Sequence, residues 1–129
     1  MNIIADTNIF LAVALNEPEK DNIIKLTSGT SALAPEILPY EIGNALSAMV
    51  KRKQISRTQA LEILQITENV PVKLLRVDIK SSLTIALKHN IYAYDAYFLH
   101  LAIINNCPLI TLDQKIKTIA KMLNIEILE

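Results

Sequence analysis

The sequence has 129 residues, of which 51% are hydrophobic and only two are glycine, a composition typical of one globular domain and unlike disordered or fibrous chains. Thirteen basic residues balance thirteen acidic ones, which excludes a globally basic nucleic-acid binder, so any polyanion must meet a local patch. A single cysteine and apolar runs of no more than seven residues (9–15) argue against a disulfide scaffold and a membrane span, so we expect one cytoplasmic domain over residues 1–129.

Short apolar segments alternate along the chain with longer segments of helical period, the pattern of βα units around a parallel sheet. The predicted strands are residues 2–5, 32–34, 73–77, 109–112 and 125–128. The predicted helices are residues 7–15, 19–27, 36–52, 57–69, 79–89, 94–105 and 114–123. Because the third and fourth helices both lie between the second and third strands, we expect an α/β fold with a parallel sheet of about five strands and an inserted helical hairpin.

Four acidic residues fall where α/β folds bind ligands, at the carboxyl ends of strands or in the helices that follow. Asp6 follows the first strand and Asp113 follows the fourth. Asp95 begins the sixth helix, and Glu41 lies in the helix after the second strand. If they share one cleft, these charges require either raised pKa values or a bound cation. Oxygen ligands select hard cations, which predicts Mg²⁺ or Mn²⁺ and, with it, phosphodiester hydrolysis.

The same acids have a purely structural interpretation, which the sequence leaves open. Asp6, Asp95 and Asp113 are each placed to cap a helix. Glu41 is different, because the nearest basic residue in its helix, Lys51, is ten positions away. An unpaired glutamate in a largely apolar segment is therefore the most unusual feature of the pattern.

The motifs around these acids resemble those of PIN-domain proteins, and within them the small ribonuclease toxins of the VapC type from toxin–antitoxin pairs. The matching segments, spread over the whole chain, are Ile-Ile-Ala-Asp6-Thr7-Asn8, Glu41-Ile-Gly-Asn44-Ala-Leu, Tyr94-Asp95-Ala-Tyr-Phe-Leu-His-Leu-Ala and Ile110-Thr111-Leu-Asp113. The resemblance implies a PIN-like three-layer α/β/α fold and a metal-dependent endoribonuclease. Its implied catalytic and metal-binding quartet is Asp6, Glu41, Asp95 and Asp113.

The resemblance also implies supporting roles for Thr7, Asn8, Asn44 and Thr111. Their hydroxyl and amide groups are able to orient carboxylates or metal-bound waters. For Thr111, which shares a strand face with Asp113, ordinary strand propensity is an equal alternative. Asn44 lies one turn from Glu41, and a buried helical asparagine needs such a partner.

The expected partners are an RNA substrate and proteins. The weak candidates for phosphate contacts are Lys51, Arg52, Lys53, Arg57 and Lys115. A solvated helix end explains the first four equally well. The four tyrosines, Tyr40, Tyr92, Tyr94 and Tyr97, are candidates for stacking on bases, with core packing as the alternative. The resemblance implies a homodimer and a cognate antitoxin that blocks the active-site groove, and no membrane partner is expected.

Three other classes of protein fit parts of the pattern. A receiver-type phosphoacceptor domain expects paired acids after the first strand and a lysine after the last strand of its site, and the sequence has neither. With glycine only at Gly29 and Gly43, the chain lacks the glycine-rich turn of a dinucleotide-binding module. The main alternative is a non-catalytic PIN-like module that binds RNA or protein.

Overall fold

The computed structural model describes residues 1–129 and contains four strands and seven helices. The strands are β1 (Asn2–Ala5), β2 (Ser31–Pro35), β3 (Lys73–Leu75) and β4 (Leu109–Ile110). The helices are α1 (Thr7–Ala14), α2 (Lys20–Thr27), α3 (Leu38–Lys51), α4 (Arg57–Glu68), α5 (Ile79–His89), α6 (Ala93–Asn105) and α7 (Gln114–Met122). All seven predicted helices and the first four predicted strands are confirmed, with ends that differ by at most two residues.

The four strands are parallel and lie in the order β3-β2-β1-β4. The chain moves outward from β1 to β2 to β3 and then crosses back to β4 on the other side of β1. Because parallel crossovers are right-handed, this reversal places α1–α4 on one face of the sheet and α5 and α6 on the other. The fold is therefore the expected α/β/α arrangement, and its strand order reverses between β1 and β4, the point where such sheets bind ligands.

The core surrounds the central strand and the helix that covers it. Ile3, Ile4 and Ala5 of β1 are almost fully buried, as expected for a strand covered on both faces. In α6, every residue of 98–102 is buried. The reason is that α6 lies between the sheet and α5, and contacts both. Asp95 precedes this buried stretch, so its backbone is held by a rigid helix.

The predicted fifth strand, residues 125–128, is wrong in extent. Only Ile127 pairs with the sheet, through a single parallel bridge to Leu109. The cause is that β4 has only two residues, so a neighbouring segment finds few main-chain groups with which to pair. Beyond β4 the N–H groups of Leu112 and Asp113 donate to side-chain oxygens instead of to a strand, so the ladder stops there.

The predicted helical hairpin is confirmed, since α3 and α4 pack against each other and against α1. A capping box opens α4: Ser56 Oγ accepts from the N–H of Gln59, and Gln59 Oε1 accepts from the N–H of Ser56. The longest helix, α3, has 14 residues, and no helix in the molecule combines the length and apolar character needed to cross a membrane.

Candidate active site

Asp6 lies directly after β1, at the point where the strand order reverses, and it is 7% exposed. Its Oδ1 accepts from the N–H of Thr7 at 2.8 Å, which confirms that Asp6 caps α1. Its Oδ2 accepts from Thr111 Oγ1 at 2.7 Å and from Asn8 Nδ2 at 3.3 Å. The same carboxylate therefore caps a helix and joins the ends of β1 and β4.

Asn8 and Thr111 connect the two central strands. Besides donating to Asp6, Asn8 accepts from the N–H of Leu112 through Oδ1 at 3.2 Å. The Thr111 hydroxyl donates to Asp6 and accepts from the N–H of Asp113 at 3.1 Å. Each side chain uses both a donor and an acceptor, which fixes its own orientation and that of the Asp6 carboxylate. Thr111 follows β4 rather than lying in it, so strand propensity does not account for this residue.

Glu41 faces the same cleft from the first turn of α3. Its Oε1 accepts from Thr7 Oγ1 at 3.1 Å. The pKa of Glu41 is raised to about 7, mainly by burial and also by the negative charges of Asp6 and Asp95, while the hydrogen bond from Thr7 opposes the rise. Three acids from three separate elements therefore act on one another.

Asp95 is the acid of the cleft whose charged form is not stabilised by any hydrogen bond. The capping interpretation of Asp95 is wrong, because Tyr92 occupies the cap position of α6 and Asp95 lies in the first turn. The pKa of Asp95 is raised to about 6, mainly by burial and also by the negative charges of Asp6 and Asp113. No hydrogen-bond donor contributes to holding its charge, and the only opposing influence is the positive charge of Lys115.

Asp113 completes the acidic group at the start of α7. Its Oδ1 accepts from the N–H of Ile116 at 3.1 Å, which confirms that Asp113 caps α7. Burial raises the pKa of Asp6, and the nearby charge of Asp113 adds to that rise. The four acids are thus brought together at one end of the sheet by four different parts of the chain.

The donor set of this cleft suits a hard divalent cation. All four acids offer oxygen, and the only ion pairs in the molecule lie elsewhere, between two lysines of α7 and Glu129. No three Asp, Glu, His or Cys side chains form a ready-made metal cage. Mg²⁺ does not require one, since it takes one or two carboxylates and keeps several waters. Asp95 and Glu41 have oxygens free for this purpose, whereas both oxygens of Asp6 already accept hydrogen bonds.

The expected burial of Asn44 beside Glu41 is wrong. Asn44 is exposed, because the buried face of α3 follows Leu38, Ile42 and Leu46, and position 44 points away from that stripe. Asn44 is one helical turn from Glu41 in the sequence, but its side chain takes no part in the hydrogen bonds of the acidic cleft.

The predicted basic residues separate into two groups. Four of them are exposed at the tip of the α3–α4 hairpin: Lys51, Arg52, Lys53 and Arg57. That tip is roughly 15 Å along α3 from Glu41, at 1.5 Å per residue. Lys115 alone lies beside the acids, where its charge lowers the pKa of Asp95.

A cavity of about 450 Å³ adjoins the acidic cleft and includes residues that the sequence did not single out. Its lining residues are Asn90, Ile91, Tyr92, Asp95, Asp113, Lys115 and Ile116. Asn90 ends α5 in the left-handed conformation, with φ of 54°, and asparagine after a helix is the sequence signal that marks such a turn. A larger cavity of about 1030 Å³ is mostly apolar and contains none of the four acids.

Comparison with known proteins agrees with this architecture. The family model of the PIN domain matches residues 3–122. The crystal structure of PAE2754 from Pyrobaculum aerophilum is similar with a TM-score of 0.71 and 21% identity, over 95% of this chain and 86% of that chain. The crystal structure of VapBC2 from Rickettsia felis, bound to a DNA fragment from their promoter, has a TM-score of 0.68 and 19% identity, over 98% of this chain and 97% of that chain. No curated protein matches the sequence.

Proposed function

The chain belongs to the PIN domain family, and from that membership we propose that it is a metal-dependent endoribonuclease that hydrolyses RNA, acting as the toxin of a toxin–antitoxin pair. The observation that carries the proposal is the acidic cleft. Four carboxylates from four parts of the chain act on one another there, and no ion pair neutralises them. Such a costly arrangement is typical of sites that bind a cation for catalysis.

Mg²⁺ or Mn²⁺ is the proposed cofactor. Asp95 and Glu41, which have free carboxylate oxygens, would bind the ion directly, and Asp6 and Asp113 would complete the acidic site around it. When bound, the ion neutralises charge on the phosphate and lowers the pKa of water. Thr7 donates to Glu41 and Thr111 donates to Asp6, so both carboxylates are held in position.

The proposed chemistry is attack of water on phosphorus. A carboxylate of the cleft orients the attacking water and accepts its proton as the new bond forms. As the new P–O bond forms, the bond from phosphorus to the 3′ oxygen breaks, and that oxygen takes up a proton. The products therefore carry a 5′-phosphate and a 3′-hydroxyl.

The test is cleavage of RNA by purified protein in Mg²⁺ and in EDTA, with the variants Asp6→Asn and Asp95→Asn beside the wild type. We expect cleavage only with the divalent ion, and a loss of about 100-fold or more in each variant, the scale of removing an electrostatic catalytic group. Asp78→Asn is the matched control, because Asp78 is an exposed aspartate that caps α5 and asparagine caps equally well. Cleavage that survives EDTA and both substitutions would contradict the proposal.

The second candidate is a PIN-like module that binds RNA or a protein without cutting. The observation that favours it is that both oxygens of Asp6 already accept hydrogen bonds within the protein. A titration of wild type and Asp6→Asn with Mg²⁺ or Mn²⁺ separates the two, because a non-catalytic module gives no response that depends on the carboxylate.

A cognate antitoxin and a second copy of the chain are the proposed protein partners. The likeness to a chain of VapBC2 supports the first. An inhibitor that inserts a basic side chain among the acids would supply the same positive charge as the metal ion. For self-association, exposed apolar side chains on α4, Leu61 and Ile66, offer part of a surface. Light scattering of the purified protein measures whether it is a dimer.

A further inference from the structure

The cavity beside the acidic cleft is lined by acidic, basic and aromatic side chains. It opens between the turn that joins α5 to α6 and the start of α7. Its lining includes Asp95 and Asp113, which it shares with the cleft, together with Lys115 and Tyr92. Its volume, about 450 Å³, falls within the range of small-ligand sites. A basic and an aromatic side chain together are the groups that recognise a nucleotide.

Lys115 is held at this cavity. Its Nζ donates to the main-chain oxygen of Asn90 at 3.2 Å, which ties a flexible side chain to a fixed turn. An ammonium group has three donors, so two remain for a phosphate. The other lysines of α7 are engaged elsewhere, because Lys117 and Lys121 pair with Glu129.

Tyr92 presents a free aromatic surface at the same cavity. It is 82% exposed, the most exposed of the large hydrophobic side chains, and its side chain does not cap α6. Tyr94 differs, since it is 54% exposed and packs edge-on against Tyr97 with ring centroids 6.0 Å apart. Tyr92 is therefore the ring on the cavity wall that is available to an incoming base.

We propose that this cavity is a subsite for one unpaired nucleotide of RNA, next to the phosphate that is cut, with the base stacked on Tyr92 and the nucleotide's phosphate bound by Lys115. The inference rests on the proposed nuclease function and adds two residues of this chain that would position the substrate. A base stacked on a protein ring has left its duplex partner, so the cavity accepts only an unpaired nucleotide. Asp95 and Asp113 repel an anion, so the bound phosphate contacts the Lys115 ammonium and avoids the two carboxylates.

The test measures binding without cleavage. A fluorescent single-stranded RNA of eight nucleotides, and a blunt duplex of the same sequence, are titrated in Mg²⁺ with protein carrying Asp6→Asn, and binding is followed by anisotropy. We expect Tyr92→Ala to weaken single-strand binding about tenfold, within the range found for loss of one base stack. Tyr92→Phe keeps the ring and restores binding. The duplex binds more weakly, and Tyr92→Ala leaves its affinity unchanged.

The lysine has a separate readout in the salt dependence of binding. Lys115→Met removes one phosphate contact, so the slope of log K against log salt falls by about 0.7 for a single strand. Lys121→Met removes the same charge from the same helix, but from a lysine paired with Glu129, and leaves the slope unchanged. An equal slope in wild type and Lys115→Met overturns the assignment of the phosphate contact.

Cleavage kinetics distinguish failure of the subsite from failure of the nuclease proposal. In otherwise unaltered protein, we expect Tyr92→Ala to raise KM for single-stranded RNA about tenfold, with the loss in KM rather than in kcat. Mg²⁺-dependent cleavage that is indifferent to Tyr92→Ala, or a duplex cut as readily as a single strand, overturns the subsite and leaves the nuclease intact. Absence of cleavage, together with ring-dependent binding of single strands, overturns the nuclease and supports the subsite.

Discussion

At the scale of single residues, the Thr111 hydroxyl holds two parts of the acidic cleft at once. It is 2% exposed, donates to Asp6 and accepts from the N–H of Asp113. Thr111→Val keeps the volume and loses both hydrogen bonds, so we expect a loss of about 1–3 kcal/mol in the free energy of unfolding. Thr111→Ser keeps the hydroxyl and loses one methyl group, about 0.8 kcal/mol. Urea unfolding ranks the variants, and a valine variant as stable as the serine variant would contradict this account.

At Asp95, in contrast to Thr111, we expect the native side chain to lower the stability of the fold. Its carboxylate is desolvated and faces other acids, which raises its pKa to about 6. We therefore expect Asp95→Asn to unfold at a higher temperature than the wild type in EDTA at pH 8, while RNA cleavage is lost. Such a gain is typical where function maintains an unfavourable charge.

The control for this measurement is Asp78→Asn. Hydrogen bonds from Ser81 lower the pKa of Asp78, so neutralising this residue brings no such gain. A thermal scan in which Asp95→Asn melts below the wild type at pH 8 would show that the carboxylate is not destabilising.

At the scale of elements, α7 allows the two roles of Asp113 to be separated. Asp113 caps α7 and also acts on Asp6 and Asp95. Asn is as good a helix cap as Asp, whereas Ala costs about 1 kcal/mol at this position. We expect Asp113→Asn to keep the stability and lose cleavage, and Asp113→Ala to lose both. If Asp113→Asn cleaves RNA like the wild type, capping is the whole role of this residue.

The helices could be predicted from the sequence because their ends carry local signals. The capping box of Ser56 and Gln59 at the start of α4 is a signal of this kind. Strand ends depend on partners distant in sequence. β3 ends at Leu75, whose main-chain oxygen accepts from the N–H of Glu36 just after β2, and nothing in the sequence around residue 75 marks this pairing. β4 stops because side chains of the cleft take the next N–H groups.

The candidate site, like the fold, could be predicted from the sequence where the signal is local and could not where it depends on distant parts of the chain. Glu41 could be singled out because its helix offers no basic partner within reach, and Asp6 because it follows a buried strand. The exposure of Asn44 and the place of Asp95 inside α6 depend on where a helix begins and which face it buries, and a shift of one residue changes both. The contact between Lys115 and Asn90 joins parts of the chain that only folding brings together.

At the scale of the whole molecule, the clustered acids make stability depend on pH in an unusual direction. The folded pKa values of Glu41 and Asp95 are about 7 and 6, above the ordinary values of 4.5 and 3.8. Between about pH 4 and 7 the folded protein therefore binds more protons than the unfolded chain, and its stability falls as pH rises. We expect the urea midpoint in EDTA to be higher at pH 5 than at pH 8.

Metal binding provides the control for this pH dependence. A cation that binds the ionised carboxylates of the folded state stabilises it by mass action, so Mg²⁺ should raise the midpoint at pH 8 more than at pH 5. The double variant Glu41→Gln, Asp95→Asn should show a flatter pH profile. A wild-type midpoint that increases from pH 5 to pH 8 in EDTA would mean that the acids do not share a desolvated cleft.

The hydrogen bond between Thr111 and Asp6 spans 105 residues of sequence, and this separation has a consequence during biosynthesis. The central strand β1 emerges from the ribosome early, whereas its neighbour β4 is translated after all of the helical hairpin. At 5–20 residues per second, roughly 5–20 s pass between the two. Until then the nascent chain lacks the Thr111 hydrogen bond to Asp6 and the charge of Asp113, so its acidic cleft is not assembled. We therefore expect the proposed activity to appear only after nearly the whole chain has been translated.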